Sequence, residues 1–549
     1  MMDIQRFVLF IVFSFSLLLL WEAWQKEQRP APTPQAAPQT SPQGNTGVPP
    51  GVTSAEATKR ALPGAPAGGA VVPVPKGERI AVKTDKLKLE IDTAGGEVVR
   101  LELLEHPDSE DRSRNVELLG AQYHYSLQSG FIGEGWPNHR SLFSASASQY
   151  ELAQGSDALE VVLEAKGTGP ASGTTVRKIF RFKRGSYLVN MGFEVQNTTG
   201  AALTPDVYVQ LVRDDKAPPT TSGMSSTYTG PAIYTEQDRF KKLAFGDLDQ
   251  KGFTKKADNG WIAMLQHYFV VALVPAQGQQ REFYSRKLEG DLYASGVVYA
   301  LPAVAPGASA TSHLGLYTGP QEQDKLRGIA PGLDLVVDYG WLTVIAAPLF
   351  WVLQFFHGLS GNWGLAIILL TVLIKLVFFP LSAASYRSMA KMKQVTPRLM
   401  KIREQYGDDR MKQNQAMMEL YKQEKINPLG GCLPIVVQIP VFIALYWVLL
   451  ASVELREAPF YGWITDLSAK DPYYILPVLM MASMIVQTRM SPMPPDPVQA
   501  KVMQIMPLVF GVMFFLFPSG LVLYWLVNNV LSILQQWYIT KNIAAASSS

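Results

Sequence analysis

The sequence predicts a mixed fold class: a polytopic α-helical membrane bundle of six spans joined to a large antiparallel β-sandwich domain. Residues 79–328 alternate apolar and polar side chains with period two. Beyond Pro331 the chain turns to long apolar runs broken by Gly and Pro. A separate apolar run opens the chain at residues 7–21. Charged residues make up 17% of the chain, below the roughly 25% of soluble domains, yet mean hydropathy is only +0.07. The average therefore hides a polar part and a very apolar one.

Residues 1–28 read as an uncleaved membrane anchor, N-terminus inside. No small-x-small cleavage site follows the apolar run, and Trp21 and Trp24 suit an interfacial belt. Residues 29–76, rich in Pro, Ala, Gly, Thr and Gln, bury too little apolar surface to order and predict a disordered linker.

Residues 77–330 predict the β-sandwich. Leu87, Leu89 and Ile91 alternate with Lys88 and Glu90, and Tyr187, Val189, Met191, Phe193 and Val195 repeat the pattern after a turn at 183–186. Tyr268 to Val274 is a further apolar run that ends at Pro275. The carboxylates here fall on exposed strand faces, and no nucleophile–base constellation is visible.

Residues 331–361 are long enough to cross a bilayer but contain Asp338 and Pro348. Residues 362–541 predict five spans, at about 363–379, 433–451, 473–488, 503–517 and 521–537. Several fall short of the roughly 20 residues a span needs, which requires a locally thinned bilayer. Between the first two lies a cytoplasmic helical hairpin at 381–429, with ten Lys and Arg against five Asp and Glu. If the anchor leaves the β-domain outside, crossing parity makes 331–361 an interfacial amphipathic helix. Six spans result, with both termini cytoplasmic and residues 542–549 as a tail.

Lys375 lies inside the apolar run GLAIILLTVLIKLVFFPL. A cation there costs at least about 2.5–3.5 kcal/mol, unless it snorkels to the interface one turn away. Thr371 lies at i−4 on the same face, and Gln438, Ser483, Gln487, Asn528 and Asn529 stand in other spans. Such groups satisfy one another by converging or by sharing water, which predicts a wet cavity open to the cytoplasm. The hairpin's methionines, Met389, Met392, Met400, Met411, Met417 and Met418, suit either adaptable docking of apolar partners or the hairpin's own seam. Its positive charge suits anionic lipids. Net charge of +3 gives no case for nucleic acid. The lone Cys432 excludes an intramolecular disulfide, and six scattered histidines form no metal-binding spacing.

The runs NPLGGCLPIVVQIPVFIALYWVL, SVELREAPF, DLSAKDPYYILPVLM and FPSGLVLYWLVNN closely resemble the YidC/Oxa-type insertase family, in its Gram-negative form. The resemblance implies a periplasmic β-supersandwich and an inner-membrane insertase and chaperone that uses no nucleotide, metal or other cofactor and is not an enzyme. It implies a hydrophilic groove open to cytoplasm and lipid, working alone or beside the Sec translocon on nascent membrane proteins. On the family pattern Lys375, Thr371, Gln438 and Tyr524 line that groove. Pro440 and Phe442 belong to a hydrophobic slide, and Tyr386 and Asp408 to the cytoplasmic loop. The groove cation in the family is usually Arg; Lys keeps the charge and loses the bidentate fork. The resemblance implies the ribosome as a further partner, which relatives often contact through a basic tail; the residues here read KNIAAASSS. Two other readings remain: a small-solute transporter or channel, for which no inverted repeat is visible, and a sugar-binding or sugar-modifying β-domain that the bundle anchors.

Overall fold

The computed structural model describes residues 76–108, 111–218, 227–407, 409–424, 433–491 and 497–548. The anchor expected at 1–28, nearly all of the linker expected at 29–76, Asp408 and Cys432 lie outside these residues. The described chain forms two compact units that divide between Val337 and Asp338.

The first unit is built from two sheets. One runs, edge to edge, Phe253–Ala257, Arg281–Lys287, Leu292–Ala300, Asp206–Asp214, Ser126–Ile132, Glu97–Pro107, Leu87–Asp92, Arg79–Lys83 and Gln149–Glu151, with Asn115–Leu119 also paired to Glu97–Pro107. The other runs Arg239–Lys242, Gly230–Thr235, Trp261–Gln266, Phe269–Pro275, Ser309–Pro320, Leu188–Asn197, Thr174–Lys183, Ala158–Lys166 and Ser144–Ala145. The two sheets face each other. Phe131 of the first meets Phe193 of the second edge-on at 6.2 Å, and both are fully buried. This is the expected sandwich, with one departure from an all-antiparallel arrangement: Arg79–Lys83 pairs parallel with Gln149–Glu151 at an edge.

Leu87, Leu89 and Ile91 are buried and their neighbours are not, so alternation sets the inward face there. It fails in Asp206–Asp214, Gly230–Thr235 and Trp261–Gln266, which are buried almost throughout. These strands are covered on both faces. Short helix α1 (Phe245–Gln250) sets Phe245 against Tyr293 of the neighbouring strand Leu292–Ala300 at 4.6 Å. A second short helix, α2 (Gln323–Arg327), precedes the end of the unit.

Among the titratable groups inside the sandwich, Lys178, Glu97 and His139 lie close together. Lys178 is fully buried and donates to the carbonyls of Gly95 at 2.5 Å and Ser129 at 2.6 Å. Burial holds its ammonium down to about 7, against the pull of nearby Glu97. Burial pushes Glu97 up to about 7, with Lys178 opposing. His139 sits 2.5 Å from the Tyr208 hydroxyl, and burial aided by Arg140 and Lys178 pushes it down to about 4.

These shifts oppose one another on acidification. Below pH 7, folded Glu97 takes a proton that the unfolded carboxylate takes only near 4.5, so acid favours folding through this group. Below 6.5 the unfolded His139 takes a proton that the folded one refuses until about 4, so acid disfavours folding. Glu97→Gln should therefore unmask an acid sensitivity of about 2 kcal/mol between pH 7 and 5. Urea unfolding at the two pH values checks it; equal pH dependence in variant and parent would contradict it.

The second unit is helical. It comprises α3 (Thr343–Ser360), α4 (Trp363–Val377), α5 (Phe379–Tyr406), α6 (Arg410–Gln423), α7 (Leu433–Ala451), α8 (Ile475–Met490), α9 (Pro497–Met513) and α10 (Ser519–Ser548). Each apolar run expected within residues 362–541 overlaps a helix, with shifted bounds. Helix α5 starts immediately after α4, because Pro380 fits the first turn of a helix and the break at Phe378 bends the pair by 66°. Helix α3 is 18 residues long and, by length and composition, apolar enough to cross a membrane. Its Ala346, Phe350 and Leu353 are buried, while Val344, Trp351, Phe355 and Leu359 are exposed. Helix α8, at 16 residues, rises roughly 24 Å against about 30 Å of hydrocarbon.

Helix α10 is the hub and packs against α4, α5, α7 and α8. The hairpin of α5 and α6 closes on Val395, Leu399 and Leu420, with Met392 and Met417 against them. Met400, Met411 and Met418 stay exposed, so the seam takes some of the methionines and leaves others on the surface.

Candidate functional site

Lys375 lies on α4, two residues before the helix ends, and is 7% exposed. Its Nζ donates to Ser532 Oγ on α10 at 2.7 Å. Ser532 is buried and its own hydroxyl donates to the Asn528 carbonyl at 2.7 Å. The Asn528 side chain in turn accepts from Gln438 Nε2 on α7 at 2.5 Å. On the neighbouring face of α10, Asn529 Nδ2 donates to Ser483 Oγ of α8 at 3.2 Å, and Gln536 Nε2 reaches the Met490 carbonyl at 3.3 Å. Polar groups from four helices thus meet around α10, as a buried cation requires.

Spacing explains the meeting. Tyr524, Asn528 and Ser532 recur every four residues and form one stripe of α10. Tyr524 is buried beside Gln438, and its ring stacks on Phe442 at 6.3 Å. Its hydroxyl makes no well-formed hydrogen bond among the described residues. Phe442 also packs on Trp525 at 4.5 Å. Tyr524 and Phe442 are therefore in contact. Pro440 lies half-buried inside α7 and does not break it.

Other candidates stand apart from the ammonium. Thr371 is buried on α4 with Lys375, but its hydroxyl bonds back to the Ile367 carbonyl at 2.6 Å and not to Nζ. Tyr386 of α5 is half-buried beside Ser532. Gln487 accepts from Ser491 through its backbone carbonyl.

The end of the bundle where α4 and α10 begin is filled by residues 452–474. Asp471 is buried and accepts from Trp463 Nε1 at 3.0 Å, Tyr473 N at 3.0 Å and Leu476 N at 2.7 Å. Ser519 donates through its hydroxyl to the carbonyls of Asp466 and Ala469, tying the start of α10 to this segment. Asn362 caps α4 from Leu365 N and donates to the Pro459 carbonyl at 3.2 Å. Gly364 must be glycine, since a Cβ there would lie 2.0 Å from the Phe460 ring. Elsewhere the bundle shows water an apolar face, with Leu376 64% and Val509 63% exposed, the mark of a surface meant for lipid or partner.

Residues 79–352 match the YidC periplasmic domain, and residues 355–546 match the family described as 60Kd inner membrane protein. The membrane protein insertase YidC of Dechloromonas aromatica is 53% identical over 99% of this chain and 98% of its own length. The chain belongs to the YidC insertase family. The YidC of Nitrosospira multiformis is 54% identical over 100% of this chain and 99% of its own. A crystal structure of an active YidC insertase covers 85% of this chain and 95% of its own, at 18% identity and a TM-score of 0.41. The YidC family resemblance read from the C-terminal motifs thus extends along the whole chain, and the β-sandwich is its periplasmic domain.

Proposed function

We propose that this protein inserts nascent membrane proteins into the bacterial inner membrane, using a hydrophilic groove in the helical unit that opens to cytoplasm and lipid. The observation that carries the reading is Lys375, a buried ammonium among polar groups of α4, α7 and α10, inside a bundle with an apolar exterior. An ammonium has three donors, and Lys375 spends one, on Ser532, among the described residues. Two remain for a carboxylate on the tail of an incoming segment. A polar lining shortens the hydrocarbon that the tail must cross, and short helices such as α8 shorten the rest. The substrate's apolar helix then leaves into lipid past Phe442 and Pro440, drawn by burial of its side chains.

In this reading the C-terminal unit contributes five spans and the N-terminal run a sixth, with both termini cytoplasmic and the hairpin of α5 and α6 inside. Helix α3 lies along the interface: its one buried stripe suits that placement, and crossing parity demands it. Anionic lipids suit the hairpin's cations. The Sec translocon and the ribosome are partners the family resemblance suggests.

Purified protein in vesicles, given a single-span substrate with an aspartate-bearing tail, tests the charge. Lys375→Gln should lower insertion about tenfold or more, since an ion pair at 4 Å is worth about 4 kcal/mol at a protein-surface dielectric. Lys375→Arg should retain it, because the charge persists. Unchanged insertion by the Gln variant would sink the electrostatic role, and solute flux without insertion would favour a transporter.

A further inference from the structure

We infer that Ser532 is the positioning residue that holds the Lys375 ammonium at its depth in the groove, facing substrate carboxylates. The inference rests on the charge role proposed for Lys375. A lysine two residues from a helix end has a long flexible stem and an interface within reach, so unrestrained it snorkels outward. Ser532 restrains it. The serine hydroxyl has one proton and two lone pairs, and the proton is committed to the Asn528 carbonyl at 2.7 Å. What it offers α4 is therefore acceptor only, and it accepts from Nζ at 2.7 Å. A hydroxyl whose proton is already placed is a fixed acceptor for a cation.

The acceptor is itself held. Ser532 is 4% exposed and Asn528 is 8% exposed, and the Asn528 side chain is bonded to Gln438 of α7. Two helices, α10 and α7, thus fix the point from which the ammonium of α4 hangs, while its other two donors stay uncommitted among the described residues. No other hydroxyl bonds Nζ there: Thr371, the nearest on the same helix face, bonds its own backbone.

Valine and threonine have the same shape and differ in the hydroxyl, so Ser532→Thr and Ser532→Val separate hydrogen bonding from packing. The full-length chain is purified, reconstituted in vesicles of zwitterionic and anionic phospholipid, and given the single-span substrate with an aspartate tail or its asparagine counterpart. Ser532→Val should lower insertion of the aspartate-tailed substrate by at least about tenfold, the scale of one hydrogen bond to a charged group. It should leave the asparagine tail unaffected, and Ser532→Thr should restore the parent ratio. On a Lys375→Gln background Ser532→Val should change nothing further. Equal loss on both tails, equal behaviour of Val and Thr, or additive loss with Lys375→Gln would each overturn the positioning role. If Lys375→Gln lowers aspartate-tail insertion and Ser532→Val does not, only this inference fails; if Lys375→Gln spares that insertion, the charge role fails first and takes this one with it.

Discussion

Lys178→Met should destabilise the β-sandwich by about 3 kcal/mol, a large share of the stability of any domain. Methionine fills the same volume without a donor. It leaves the Gly95 and Ser129 carbonyls, now served at 2.5 and 2.6 Å, without partners between two sheets. Each orphaned buried acceptor costs about 1–3 kcal/mol. Glu97 also loses the cation that opposes its burial. Removing the desolvation of a fully buried ammonium works the other way, but backbone carbonyls cannot be mutated out to match. Adding Glu97→Gln should recover part of the loss. Urea unfolding followed by near-ultraviolet circular dichroism measures both variants; a Lys178→Met midpoint equal to the parent's would show that the two carbonyls find water instead.

Asp471→Ala should loosen the segment at residues 452–474 by about 3 kcal/mol, because one carboxylate there serves three donors, from Trp463, Tyr473 and Leu476. Those three span the end of the segment and the first turn of α8, so their loss frees several residues at once. Hydrogen exchange at residues 463–476 should rise by two orders of magnitude or so, while exchange in the β-sandwich stays put. Exchange unchanged in both regions would mean that Ser519 and Asn362 hold the segment without Asp471.

Much of this arrangement is legible in the sequence. Alternation at Leu87, Leu89 and Ile91 announces a half-buried strand, and the crowding of amides and Lys375 into apolar runs announces a polar interior. Ser532 was missed because a lone hydroxyl in an apolar helix usually bonds its own backbone and carries no demand for a partner. The available signal was its place one turn after Asn528. Lys178 was also overlooked, although period two puts it in line with Val176, Phe180 and Phe182, all buried; an inward lysine breaks the strand pattern and marks a strut. The strands Asp206–Asp214, Gly230–Thr235 and Trp261–Gln266 were not legible as doubly buried, since what covers their second face comes from elsewhere in the chain. Asp471 was visible within a family motif, but its three donors come together only when α8 starts where it does.

The packing of residues 452–474 over the start of α4 and α10 has an electrical consequence. A bacterial membrane is negative inside, so an acidic tail moving outward is pulled by about 2.3 kcal/mol per charge for each 100 mV. That pull exists only while the bilayer does not leak. In the orientation proposed here, an insertase filled at its outer end lets a polar tail enter from the cytoplasm without giving protons a continuous wet path back. In that orientation the packed end of the bundle is expected to hold the driving voltage through each insertion, as an insulator and not as a gate.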